Sequence, residues 1–304
     1  MRLSDIISEI SFKEKYSIEN EREFEFLGLV AQEMDYKICS FIDDPKYIPN
    51  VKSNVTMLLV NKETAVEVKK LLPSIGICVV EKPRILFFEI HNALADDERY
   101  IRKNFPSIFG EKCKISSLSS IAENNVVIGN NVIIEEFVVI RENVVIEDDA
   151  IIRSGTVIGS VGYEFKRDDN RAFGIKHLGG VVIKKGVEVQ HNTCVDKAVY
   201  PWDDTVLGEE SKIDNLVHIS HGVKIGKRTM IVALSGIGGR TVIGDDTWIG
   251  FGATVVNGTQ IGNKSRVNMG AVVTRAVADN ASVSGNFAID HKRFVNHIKS
   301  IAKD

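Results

Sequence analysis

From Val206 onward the chain falls into six-residue units whose second place is aliphatic in all twelve: Leu207, Ile213, Ile219, Ile225, Ile231, Ile237, Ile243, Ile249, Val255, Ile261, Val267 and Val273. Gly, Asn or Asp frequently follows that residue. The same register runs upstream through Ile128, Ile134, Ile140, Ile146, Ile152 and Ile158, and resumes at Ile183, Val189 and Val195. A β-sandwich would instead show period-two alternation broken by irregular turns. A sustained period of six predicts a parallel β-helix, in which each aliphatic side chain points inward and stacks on its counterpart one coil away.

Two stretches break this pattern. Residues 159–180, GSVGYEFKRDDNRAFGIKHLGG, interrupt the register, and because a solenoid ejects insertions onto its surface they predict a loop reaching over a cleft. The segment AVYPWDDT, 198–205, keeps the spacing but puts Pro201 at an inward place and exposes Trp202, as a ligand-lining or a corner-capping residue. Residues 1–113 lack the hexad. Helix-like spacing around FEFLGLVAQEM, strand-like VTMLLV and GICVVE, and the helical ETAVEVKKLLPS between them predict a small α/β domain joined to the solenoid near FGEKCK. In the tail, Phe287, Phe294, Ile298 and Ile301 recur at helical spacing, with His291, Lys292, Arg293, Lys299 and Lys303 around the other side. The expected layout is mainly β: an α/β domain over 1–113, a β-helix over 114–286 and a C-terminal α-helix over 287–304. The basic face of that helix is either solvated or a receiver of phosphates or an acidic carrier protein.

Charge narrows the function only slightly. A net charge of −3, from 38 basic and 41 acidic residues, gives no global field favouring nucleic acid or anionic membrane. The N-terminal MRLSDIISEISFKEK has no signal-peptide core, and no apolar run approaches the ~20 residues of a spanning helix, so a cytoplasmic protein without a membrane span is expected. Cys39, Cys78, Cys113 and Cys194 are far apart with no CxxC and are read as reduced thiols without a role.

The motifs, taken in order, carry a resemblance. SFIDDPKY (40–47), GSVGYEF, HLGGVVI, CVDKA, KIDNLVHISHGVKIG and the SGN-to-helix ending resemble the UDP-3-O-acylglucosamine N-acyltransferases of the lipid A pathway and their relatives that acylate amino sugars on nucleotides. The resemblance covers nearly the whole chain. It implies a left-handed β-helix with three hexads per coil, a homotrimer with sites between neighbouring solenoids, and no tightly bound cofactor or metal. The implied substrates are a nucleotide-linked amino sugar and an acyl thioester on coenzyme A or acyl carrier protein, the acyl group expected to be 3-hydroxyacyl.

The resemblance assigns residues as well. ISH matches the family's IAH-type motif, so His221 takes the role of catalytic base, and an imidazole titrating near neutrality suits removal of a proton from an attacking amine. Gly239 matches the glycine whose N–H serves the oxyanion, and its position 18 residues after His221 sets the two on adjacent coils. Asp214 is a candidate to orient the base, and His177 and His218 are candidate substrate contacts. Phe41 and Tyr47 stand where the family holds a pyrimidine. Asp44 replaces the family asparagine by a group that only accepts hydrogen bonds, which leaves uridine and thymidine nucleotides both open. VVNGTQIG lacks the family's second histidine, and CVDKAVYPWDD is two residues longer than the usual segment. These departures favour a relative with another sugar or a shorter acyl donor; the lipid A enzyme itself and a non-catalytic nucleotide-sugar-binding scaffold are the alternatives. A zinc hydratase of the same fold would need HxxxxH plus a distant histidine, and HISH with His177 or His191 has the wrong spacing.

Overall fold

The structure is a computed structural model that describes residues 1–301 except 11, 13, 170, 286 and 287. Its hexads build three parallel sheets of nine, eight and eight strands. Between Val206 and Val273 each strand pairs with the one 18 residues on, as Ile219 with Ile237 and Ile243 with Ile261, so three hexads close one coil of a left-handed β-helix. Across AVYPWDDT the step is 24, Cys194 pairing with His218, so that segment adds six residues to its coil instead of keeping the spacing. The aliphatic column is buried as a single core running from Val126 to Val277. Each stacked side chain contributes about 1.5–3 kcal/mol of burial.

Two local requirements explain the residues between the aliphatics. Backbone with positive φ recurs every six residues, for example at Leu216, Gly222, Arg228, Leu234, Arg240 and Asp246, because each corner of the triangle needs one left-handed residue. The glycine that follows many aliphatics answers a different need: a Cβ on Gly226 would lie 2.5 Å from Gly244 C of the next coil. The first strand of the stack is Ile108–Phe109, paired with Val126–Ile128, so the solenoid takes in residues ahead of 114. Its last strand is Ser282–Val283.

The α/β domain is a five-stranded sheet in the order Tyr16–Glu19, Gly76–Val80, Val55–Val60, Ile38–Ile42, Phe26–Leu27, with helices Leu3–Glu9, Lys62–Leu71 and Pro83–Ala93. The helix read in FEFLGLVAQEM does not form. Phe26–Leu27 instead pairs with Ile38–Ile42, and the Leu27 carbonyl accepts from the Trp202 indole at 2.8 Å. That bond also corrects the reading of Trp202 as exposed: the ring is half-buried and stacks on Tyr200 at 5.2 Å, as a joint between solenoid and α/β domain. Arg102 strengthens the joint, donating to Pro201 O at 2.7 Å and to Asp203 O and Asp204 Oδ1 at 2.8 Å.

The insertion folds as an antiparallel hairpin, Phe165–Asp168 with Arg171–Gly174. It docks on helix Pro83–Ala93: Asn92 Nδ2 donates to Gly174 O and Asn92 Oδ1 accepts from Lys176 N, both at 2.9 Å, while Arg171 pairs with Glu89. The C-terminal helix is His291–Ile301, with no buried residue, and Phe294, Ile298 and Ile301 stand exposed. Phe287 and Lys303 lie outside the described residues. Among the described residues no helix is long and apolar enough to cross a membrane.

Candidate active site

His221 sits at a corner of the solenoid immediately before Gly222, whose φ is +69° and whose N–H donates to the buried Thr205 Oγ1 at 2.8 Å. The corner backbone is therefore fixed, and the imidazole leans over the equivalent position of the next coil. That position is Gly239. A Cβ there would lie 2.7 Å from His221 Cε1 and Nε2, closer than side-chain carbons come, so only glycine leaves the ring its place. The Gly239 N–H has no hydrogen-bond partner among the described residues.

The hairpin roofs this corner. Glu164 Oε2 lies 3.1 Å from His221 Nε2, with the two side chains 13% and 8% exposed, and Lys166 binds the same carboxylate. Burial works to raise the Glu164 pKa, but hydrogen bonds from His221 and Lys166 prevail and bring it to about 2. His177, at the end of the insertion, meets His221 edge to face with ring centroids 5.5 Å apart. Its Nδ1–H donates to Ile175 O at 3.0 Å, which leaves Nε2 as a buried acceptor with no partner among the described residues. Burial, aided by the charge of His221, lowers its pKa to about 4. Gly162 keeps the space in front open, since a Cβ there would lie 3.0 Å from His177 Nε2 and 2.9 Å from Asp196 Oδ2.

A second histidine–carboxylate pair flanks the first. His218 Nε2 lies 3.0 Å from Asp196 Oδ2, the histidine half exposed and the carboxylate buried. Ser160 Oγ donates to Asp196 Oδ1 at 2.6 Å. Burial would raise the Asp196 pKa; the bonds from His218 and Ser160 outweigh it and lower it, and the same bond raises that of His218.

The structure thus brings His221, Gly239 and His177 together and sets His218 beside them. It does not bring Asp214 to His221. The Asp214 carboxylate is taken by Asn215 N and Nδ2, at 2.7 and 2.8 Å, and by Ala233 N at 3.0 Å, and Glu164 is the carboxylate on the imidazole. Phe41, Asp44 and Tyr47 form a separate group. Half-buried Phe41 packs 4.9 Å from Phe87 with the Arg84 guanidinium 5.5 Å above it; Asp44 caps the 3-10 helix Pro45–Asn50 through Lys46 N; Tyr47 is exposed. A run of contacts joins the groups: Phe41 to Phe88 at 6.0 Å, Lys166 over Phe88 at 4.5 Å, then Glu164 and His221. Sequence reasoning missed Glu164, Lys166 and Asp196, although all three lie in or beside quoted motifs. Their in-and-out alternation along YEFK and CVD was the available signal. Among the described residues no group of three or more His, Cys, Asp or Glu side chains is arranged to hold a metal ion.

The Bacterial transferase hexapeptide (six repeats) family matches residues 125–160, 204–239 and 240–275. All three matched stretches lie within the solenoid. Over 136 residues the chain is 35% identical to the UDP-3-O-acylglucosamine N-acyltransferase of Delftia acidovorans, covering 45% of this chain and 40% of that protein. Over 91 residues it is 43% identical to UDP-3-O-acylglucosamine N-acyltransferase 2 of Legionella pneumophila, covering 30% and 26%. The family resemblance read from the motifs is thus borne out in the names of these relatives, while the first match spans only two-fifths of its relative's length. Among solved structures, the UDP-N-acetylglucosamine acyltransferase from Campylobacter jejuni aligns with TM-score 0.54 at 17% identity over 64% of this chain and 79% of that one. The Francisella novicida enzyme of that name aligns with TM-score 0.50 at 21% identity over 63% and 71%. These likenesses establish the fold.

Proposed function

We propose that the protein is an N-acyltransferase that moves an acyl group, expected to be 3-hydroxyacyl, from a phosphopantetheine thioester to the amine of a nucleotide-linked amino sugar, for cell-surface glycan or lipopolysaccharide synthesis. The observation that carries this reading is the Nε2 edge of His221, which faces both Gly239 and the ionised Glu164. A sugar amine arrives as an ammonium, and Glu164 receives that charge beside the base. The ammonium displaces the His221 Nε2–H from Glu164 and gives one proton to solvent; the neutral amine nitrogen then attacks the thioester carbon as the unprotonated Nε2 takes its second proton. The oxyanion accepts a hydrogen bond from the Gly239 N–H; the C–S bond then breaks and the thiolate leaves with the proton from His221. The unpartnered His177 Nε2 accepts from a sugar hydroxyl, and His218, held by Asp196, lies where it reaches the same sugar.

Phe41 and Tyr47 are assigned the nucleobase, with coenzyme A or acyl carrier protein as the carrier. Exposed Met230, Phe251, Met269 and Val272, spread over three coils, support a homotrimer in which a neighbouring solenoid covers them. A thiol-release assay tests the reading, with acetyl-, 3-hydroxybutyryl- and 3-hydroxymyristoyl-thioesters on both carriers against UDP- and dTDP-amino sugars. Turnover with one pair is expected, lost in His221→Ala. Silence across the panel from a folded protein that binds nucleotide would favour a non-catalytic binder. The names of the relatives favour one second reading, the lipid A enzyme itself, which a sole preference for the 3-hydroxymyristoyl carrier-protein donor would support.

A further inference from the structure

The sheet that carries His218 holds, on its amino-terminal side, a cavity of about 440 Å³ lined by Arg141, Glu142, Gly159, Ser160 and Lys197 among others. These residues end neighbouring strands: Val139–Ile140, Val157–Ser160 and Cys194–Asp196 stack in that order below His218–Ile219. Arg141 and Lys197 make no ion pair and no side-chain hydrogen bond among the described residues, and neither does Glu142. Cations nearby are answered, as Lys224 of the adjoining sheet is by Asp203 and Arg102 by Asp204. Two cations against one carboxylate leave the cavity net positive. Asp196, the other nearby acid, is already matched by His218.

Lys197 is half-buried, and its burial, with Arg102 and Arg141 nearby, lowers its pKa against the opposing pull of Glu142. A desolvated ammonium without a counter-charge is costly, and an anion from outside relieves it. Gly159 keeps the floor open: its φ is +83°, and a Cβ would lie 3.2 Å from Arg141 Cβ. The Ser160 hydroxyl is spent on Asp196, which leaves Arg141 and Lys197 as the free donors.

We infer that this cavity binds a diphosphate, with Arg141 and Lys197 as its ligands. Strands lie about 4.8 Å apart, so the cavity is one to three spacings, ~5–14 Å, from the strand of His218. That range suits a hexose whose amine is at the histidine corner and whose glycosidic diphosphate points toward the α/β domain, which docks at the same level through Arg102. The inference rests on the proposed substrates in one respect, that the nucleotide sugar and coenzyme A both carry this group.

Calorimetric titration of the full chain with inorganic pyrophosphate, UDP and coenzyme A tests it without turnover. Arg141→Ala and Lys197→Ala are each expected to weaken pyrophosphate and UDP by about 10-fold, a typical loss for a charge-assisted contact. Lys197→Arg should retain most of the affinity. Weakened UDP with unchanged coenzyme A assigns the cavity to the nucleotide sugar; the reverse assigns it to the acyl donor. Exposed Arg141 tolerates substitution, so its variant keeps the test valid if Lys197→Ala unfolds. Unaltered affinity for all three ligands in both alanine variants, or no binding by the wild-type protein, overturns the inference. His221→Ala should bind all three normally, so failure of the catalytic reading would show in turnover and leave this test standing.

Discussion

His221 and Gly239 are equivalent corner residues of successive coils, and the missing side chain of one makes room for the ring of the other. Gly239→Ala should therefore leave the far-ultraviolet circular dichroism unchanged and lower kcat by about 100-fold, the loss typical of a misplacement near 1 Å. Glu164→Gln keeps the size of the side chain and removes its charge. It should raise KM for the amino sugar by about 10-fold with a smaller change in kcat, as expected when a charged hydrogen bond to the bound ammonium is lost. Equal falls in kcat and kcat/KM would point instead to a role confined to the transition state. That His221 and Gly239 meet was legible because hexad spacing converts sequence distance directly into spatial distance; their roles came from the motif resemblance. Glu164 was not, since its place beside the imidazole depends on how the insertion docks, and no period governs that.

At the scale of elements the hairpin is held to helix Pro83–Ala93 by hydrogen bonds of Asn92 and His91, beside the ion pairs of Lys82 with Asp168 and of Glu89 with Arg171. Asn92 binds Gly174 O and Lys176 N where the second hairpin strand ends, and His91 Nε2–H donates to Lys176 O at 2.8 Å while Nδ1 accepts from Tyr100 O–H at 3.1 Å. Burial lowers the His91 pKa from 6.5 to about 4. Between those values the unfolded chain binds more protons than the folded one, so this contribution is intact above about pH 6.5 and is lost as pH falls toward 4. The loss amounts to at most about 3 kcal/mol. Urea unfolding across this range should show a declining midpoint in the wild-type protein and a shallower decline in His91→Gln; parallel curves would exclude His91 as the source. Solenoid strands were readable from Ile128 on, as were Val55–Val60 and Gly76–Val80, while the earlier strands Ile108–Phe109, Lys114–Ile115 and Ser120–Ile121 were not. FEFLGLVAQEM misled because its apolar spacing fits a helix, while Trp202, distant in sequence, takes the Leu27 carbonyl for a strand edge.

On the scale of the whole molecule, the proposed reading takes the reacting corner from the solenoid and the nucleotide motif from the α/β domain, and the hairpin's Lys166 and Glu164 lie between them against Phe88. The division into an α/β part and a β-helix could be read because only one part carries the hexad; the joint could not, since Arg102 and Trp202 look like ordinary surface residues until the parts meet. The central claim is that this assembly forms an amide at a sugar nitrogen with His221 as base. Mass spectrometry of the product from the preferred thioester and nucleotide amino sugar tests it most directly. The account predicts one acyl group per sugar, one thiol released per acyl transferred, a product resistant to hydroxylamine as amides are, and no product from His221→Ala. A hydroxylamine-labile ester, or an undiminished rate in His221→Ala, would contradict it.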